Sequence, residues 1–276
     1  MNLNKDIDNK YILDWIELYV VLEWNISKTD ILWEFTNLDE DYIEDLFFKL
    51  GNRLFLYWDE EPYQINWDFI ESNFLEENHK KESYKFSLFL SVYWNWFKTN
   101  EWWKLFERLS NEAFKKYLWW ESKVFWFPDW LTWWLSVKID ELAIDINEKR
   151  WNQNPSSSAK DAKLDLVSYK TIDSRENKLI FLVQSAAWQN WKSKLREISI
   201  ERWRNYINFW ITPIRWFSTS VFIDNKNDFY ERWMEWGLIF DRARIFRFIS
   251  QLTDFYDLNL NNDLVSWNRA AINNFS

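Results

Sequence analysis

The sequence predicts a mixed α/β fold preceded by a helical region. Three observations carry that expectation. The stretch 104–118 is an amphipathic helix. Two short β-rich segments, 164–170 and 178–185, are joined by a hairpin-length connection. A further strand at 216–224 is followed by helix, strand and helix. In chain order the second part reads αβαββαβαβα, the alternation of a sheet covered by helices.

Residues 1–95 read as mostly helical. KYILDWIELYVVLE carries apolar positions at helical spacing, and SKTDILWEF opens with Ser27 or Thr29 as N-cap. LDEDYIEDLFFKLGNRLFLYW is expected to run as helix to Gly51 and then as a short extended piece, and Pro62 in DEEPYQ marks a loop. The second part is set at 96–276. In KLFERLSNEAFKKYL, Leu105, Phe106, Leu109, Ala113, Phe114 and Tyr117 share one broad apolar face. ESKVFWFPDW suggests a strand and a turn at Pro128, LSVKIDELAIDINEK a second helix, and NQNPSSSAK a loop. KLIFLVQS is apolar on both faces, which suits a central strand. Residues 191–209 regain helical composition, NDFYERWMEW is helix, GLIFD a short strand, and DRARIFRFISQLTDFYDL a basic helix.

Composition narrows the function classes. With 276 residues and 47% apolar content the chain can bury a sizeable core. It has no cysteine, which excludes disulfides, thiolate zinc sites and a cysteine nucleophile and suits the cytoplasm. No window approaches the roughly 18–20 apolar residues of a membrane span, so no membrane partner is expected. The net charge of −9 argues against general electrostatic capture of nucleic acid, though a local basic patch is compatible with it. His79, the only histidine, lies in the polar run EENHKKES and reads as a solvated residue.

Glycine is almost missing. An average chain of this length has about 19, at roughly 7%, and this one has 2, beside 24 tryptophans. Many tryptophans fall where turns are expected: Trp102-Trp103, Trp119-Trp120, Trp133-Trp134, Trp151 and Trp188. An indole is a poor turn residue, because turns and helix C-caps call for positive φ. One explanation is a gene that uses UGA for glycine, read with a table that translates UGA as tryptophan. Trp203 is then the first candidate for a genuine indole. The other explanation is a naturally tryptophan-rich protein, such as a carbohydrate binder with stacking platforms.

The chemistry concentrates in NQNPSSSAKDAKLDLVSYKTIDSRENKLIFLVQSAAWQNWKSKL. Asp165 opens one strand and Gln184 closes the next, so a hairpin brings them together. A carboxylate and an amide oxygen are the hard donors Mg²⁺ prefers, and Glu107 on the preceding helix offers a third. Asp161 is a further acid in the loop ahead. Arg202 and Arg204, with Arg242, Arg244 and Arg247 near the C-terminus, are candidates for backbone phosphates or simply a solvated helix face. No GxxxxGK[ST] phosphate loop is present, even with the tryptophans read as glycine.

Phe106-Glu107, Lys163-Leu164-Asp165-Leu166-Val167 and Val183-Gln184-Ser185-Ala186 together resemble the PD-(D/E)xK nuclease superfamily. The likeness is closest to its Mrr-like branch, in which Gln replaces the usual acid, and it covers roughly residues 100–240. Gln184-Ser185-Ala186 followed by Asn190-Trp191-Lys192-Ser193-Lys194 is also similar to restriction-endonuclease-like proteins of bacterial defence neighbourhoods. Two features depart from the pattern: no glycine precedes Asp165, and Ala186 stands where the family has its lysine. Lys194, or Lys192, is the candidate to return that ammonium.

The resemblance implies a restriction-endonuclease-like mixed sheet flanked by helices, with the helical N-terminal module at 1–95. It implies a metal-dependent DNA endonuclease of a restriction or antiphage system, with Glu107, Asp165 and Gln184 on Mg²⁺, or Mn²⁺ in its place, and Lys194 beside them. In such a mechanism the metal polarises the phosphodiester, activates the attacking water and stabilises the leaving 3′ oxygen. A defence-system partner bound through 1–95 and a homodimer are compatible with this. The alternative is a nuclease-fold protein that has lost catalysis with its lysine and acts as a DNA- or partner-binding module.

Overall fold

The computed structural model describes residues 11–93, 102–119, 121–125, 134–151, 153–156, 162–170, 173, 175, 178–187 and 191–275, and is silent on the side chains of 134, 232–236 and 275. Pro128, Asp161, Trp120, Trp133 and Trp188, singled out in the sequence, lie outside the described residues.

In chain order the elements are α1 (Ile12–Glu23), β1 (Asn25–Ser27), α2 (Lys28–Glu34), α3 (Glu40–Tyr57), β2 (Tyr63–Ile65), β3 (Phe69–Ser72) and α4 (His79–Tyr93), then α5 (Trp102–Leu118), β4 (Glu121–Val124), α6 (Trp134–Asp145) and β5 (Lys149–Arg150). They continue with β6 (Leu166–Tyr169), β7 (Ile180–Ala186), α7 (Trp191–Lys194), α8 (Ile200–Tyr206), β8 (Ile207–Asn208), β9 (Ile214–Thr219), α9 (Lys226–Trp236), β10 (Leu238–Phe240), α10 (Arg242–Ser250) and α11 (Leu260–Phe275).

The described residues form two compact units. One holds those up to Leu105 together with Ser220–Asp224 and those from Asp241 on; the other holds Phe106–Thr219 and Asn225–Phe240. The chain therefore enters the second unit, leaves it briefly at Ser220–Asp224, and returns to the first for its last two helices. A single boundary near residue 95 does not describe that path.

The first unit is helical, with one small sheet of order β1-β3-β2, antiparallel throughout. The sequence reading contained no such sheet. Strands of three or four residues are too short to show an alternating pattern. Ser27 is the N-cap of α2: its side chain accepts from the Asp30 N–H and the Asp30 carboxylate accepts from the Ser27 N–H, a reciprocal capping box. Helix α3 does not stop at Gly51. It runs through to Tyr57 and ends at Trp58, whose φ is 59°.

Among the described residues, Trp58 is one of three tryptophans at positive φ, with Trp24 (77°) after α1 and Trp119 (52°) after α5. All three directly follow a helix, where a left-handed residue is usually glycine. Trp24, Trp58 and Trp119 are 40%, 61% and 75% exposed, so burial gives little back for the strained backbone. Gly237 shows what such a site requires: at φ 87°, an added Cβ would lie 2.2 Å from the Arg215 carbonyl oxygen. Trp203, by contrast, is fully buried, edge-on to Phe125 and Tyr206.

The core of the first unit contains an ion network. Arg53 donates to Asp14 at 2.7 Å, Glu17 at 3.0 Å and Asp224 at 2.6 Å. Arg242 donates to Asp14 at 2.7 Å and Glu17 at 2.9 Å. Tyr63, Tyr84 and Ser91 supply hydroxyls to the same two carboxylates. Burial raises the Asp14 carboxyl, but Arg242 and Arg53 outweigh it and hold it far below the ordinary carboxylate range.

The second unit is built on a mixed five-stranded sheet of order β10-β9-β7-β6-β4. β4, β6 and β7 are antiparallel neighbours, while β7, β9 and β10 run parallel. The α/β class with a mixed sheet flanked by helices is as expected. One face is covered by α5: Ser110 bonds Ser218 at 2.6 Å, and the Phe114 ring lies 4.4 Å from Trp216 and 5.0 Å from Phe240. The other face carries Val167, Tyr169, Ile180 and Leu182, in one apolar cluster with Ile139, Leu142, Trp203 and Ile207. The expected helix over 191–209 is broken into α7 and α8, because Leu195 and Ile198 turn into the core and Ser199 starts a new helix by accepting from the Arg202 N–H.

Candidate functional site

The antiparallel register of β6 on β7 ends with Leu166 paired to Val183, one residue from both Asp165 and Gln184. The backbone secures that end of the hairpin. The Asp165 N–H donates to the Val183 carbonyl at 3.1 Å, and the Phe125 N–H donates to the Asp165 carbonyl at 2.7 Å. The Ser185 N–H donates to the Asp165 carboxylate at 2.7 Å, fixing the acid against the end of β7. The Asp165 carboxylate is thus held on β7 at Ser185, the chain neighbour of Gln184.

Gln184 is buried, and its Nε2 donates to Glu197 Oε2 at 2.8 Å. A carboxylate can only accept, so the amide nitrogen must point at Glu197 and the amide oxygen must point away. That oxygen is buried without a hydrogen-bond partner. Glu197 also takes Lys194 Nζ at 3.1 Å and Lys163 Nζ at 3.5 Å. Burial raises the Glu197 carboxyl, while Lys194, Lys163 and the Gln184 amide together hold it below its usual value. Lys194 is therefore one carboxylate removed from Gln184, and Lys192 instead pairs with Asp228.

Glu107 reaches the same end of the sheet by another route. Along α5, Phe114 stacks on Trp216 and Ser110 bonds Ser218, so the helix runs antiparallel to β9. Glu107 lies about one turn further on, roughly 4.5 Å at 1.5 Å per residue, beyond the end of β9 where Ser218 and Thr219 pair with Ser185 and Ala186. Ser185 shares the α5 face with Ser218, so the alternation of β7 puts Gln184 on the opposite face. Glu107 is buried on its helix. Among the described residues no three carboxylate or imidazole side chains converge as a metal cage.

A comparison against family models matches none, and no curated protein matches this chain. Among solved structures, restriction endonuclease FokI aligns at a TM-score of 0.25 and 11% identity, over 90% of this chain and 46% of that one. The structure of restriction endonuclease FokI bound to DNA aligns at 0.23 and 11%, over 95% and 47%. The chain spans about half the length of these proteins. Superposition at that level carries no residue role across.

The five arginines expected at phosphates have separate fates, Arg247 lying 3.9 Å over the Trp58 ring. Arg202 and Arg204 are exposed on α8, Arg204 bonding Thr212. Arg244 is half-buried near Asp241, the N-cap of α10. Arg242 is 0% exposed and committed to Asp14 and Glu17, so it is a core residue and not a phosphate contact. The burial signal was in the sequence: Arg242 shares the Ala243, Ile245, Phe246 and Ile249 face of an amphipathic helix. His79 is likewise not solvated; its ring is half-buried against Phe255, and its Nε2 lies 3.1 Å from the Leu252 carbonyl. Glu197 was missed altogether, though its i, i+3 spacing from Lys194 on a helix-like segment was the available signal.

Mg²⁺ keeps several waters and takes only one or two protein oxygens, and Asp165 with the unpartnered Gln184 oxygen offers that number.

Proposed function

We propose that this protein is a metal-dependent DNA endonuclease, acting in the cytoplasm within a restriction or antiphage system. The observation that carries this reading is the buried, unpartnered Gln184 oxygen on β7, one residue from the Ser185 N–H that holds Asp165, with a lysine linked to Gln184 through Glu197. Asp165 and Gln184 would hold the ion; Glu107, on the α5 face of the sheet, is left out of the set. A bound Mg²⁺ supplies Lewis acidity toward a phosphodiester and lowers the pKa of an attacking water. Lys194 supplies the ammonium that Ala186 cannot, facing the developing negative charge. Arg202 and Arg204 hold the backbone, and the helical unit is the surface for a protein partner. The test is plasmid nicking by purified protein in Mg²⁺ or Mn²⁺. Asp165→Ala should lower the rate by at least about a hundredfold.

One observation favours a second reading. Ala186, at the position of the family's lysine, is buried and apolar, and Lys194 is occupied with Glu197. A nuclease-fold DNA- or partner-binding module would keep the same architecture and show no cleavage of DNA or RNA.

We further propose that Trp24, Trp58 and Trp119 are glycines in the organism's own protein, encoded by UGA. Left-handed backbone after three helices, with exposed rings, supports this. Peptide masses of the native protein test it: glycine at these positions is expected, and tryptophan refutes it.

A further inference from the structure

The Gln184 amide has two ends of similar size and opposite character, and only the oxygen can ligate a cation. Which end faces outward is therefore a chemical decision, and nothing within Gln184 makes it. Glu197, 13 residues further along and outside every motif, accepts Nε2 at 2.8 Å and excludes the flipped amide, since two oxygens cannot share a proton that neither carries. The same carboxylate carries Lys194 at 3.1 Å and Lys163 at 3.5 Å.

We infer that Glu197 is a positioning residue of this site: it locks the Gln184 amide with its oxygen toward the ion and tethers the Lys194 ammonium next to it. This rests on the metal-site reading given above. Outer partners of metal ligands fix ligand orientation, and their loss typically weakens metal affinity by about 10–100-fold.

The experiment is Mn²⁺ binding to the full chain, followed by the paramagnetic signal of the free ion, with thermal unfolding recorded on each variant. Wild type should bind, and Asp165→Asn should abolish binding. Glu197→Gln, whose own amide tolerates either orientation of Gln184, should weaken binding by about tenfold or more with little change in the unfolding midpoint. Combining Gln184→Glu with Glu197→Gln should restore it, because a carboxylate at 184 shows an oxygen to the ion in either orientation while the amide at 197 still donates to it. Wild-type affinity in Glu197→Gln, with Asp165→Asn inactive, would overturn the role of Glu197 and leave the site standing. Failure of the double variant to recover binding would make Glu197 a ligand or a scaffold residue and also overturn the proposal. No Mn²⁺ binding by wild type would overturn the site itself.

Discussion

Single residues show where backbone and side chain disagree. A left-handed conformation costs an L-residue about 1–2 kcal/mol that glycine does not incur, and Trp24, Trp58 and Trp119 bear it at exposed positions. Replacing Trp119 or Trp58 by glycine should raise stability by about 1 kcal/mol in chemical denaturation, whereas Trp203→Ala in the core should cost about 3–5 kcal/mol. Arg242 makes a different kind of claim. Removing it strands two buried carboxylates, so Arg242→Met should destabilise by about 3–5 kcal/mol and leave DNA affinity per folded molecule unchanged. The pH dependence follows from Asp14, whose folded pKa is held below its unfolded value of about 3.9. Its contribution is fully present above that pH and is lost as pH falls below it. Asp241, raised by burial, works in the opposite sense. Denaturant titrations between pH 6 and 2.5 should show stability falling steeply below pH 4, and the fall should be shallower in Arg242→Met. The hairpin that carries Asp165 and Gln184 was legible, because two short β-rich runs on a hairpin-length connection predict it. Glu197 was not, because it lies in the break between α7 and α8 that helical composition concealed.

At the level of elements, long periodic segments were readable and short ones were not. The helix expected over 104–118 is α5 at Trp102–Leu118, and the strands at 164–170 and 178–185 are β6 and β7 trimmed or shifted by a residue or two. The sheet β1-β3-β2 and the pair β5-β8 escaped notice, since strands of two to four residues leave no period. Gly51 misled because a glycine in the printed sequence looks like a stop; α3 passes through it and stops at Trp58. Helix α8 carries the testable claim about nucleic acid. Arg202→Ala and Arg204→Ala should weaken DNA binding to a similar extent on unrelated sequences and each reduce the salt slope by about one. Sequence-selective loss, or none, would remove α8 from the interface.

For the whole molecule, the net charge of −9 sets a background against which any DNA contact must be local. No described helix is long and apolar enough to cross a membrane. Residues far apart in sequence build the helical unit: Asp14, Arg53, Asp224 and Arg242 meet in one network, although sequence periodicity says nothing about which distant segments share a core. The α/β class was legible from alternation, and the return of the last two helices to the first unit was not. The central claim is a metal-dependent hydrolytic centre at the β6–β7 end. Its most direct measurement is supercoiled plasmid nicking with added Mn²⁺, wild type against Asp165→Asn. Nicking by wild type that EDTA stops and Asp165→Asn lacks is the predicted result; equal nicking by both proteins would contradict it.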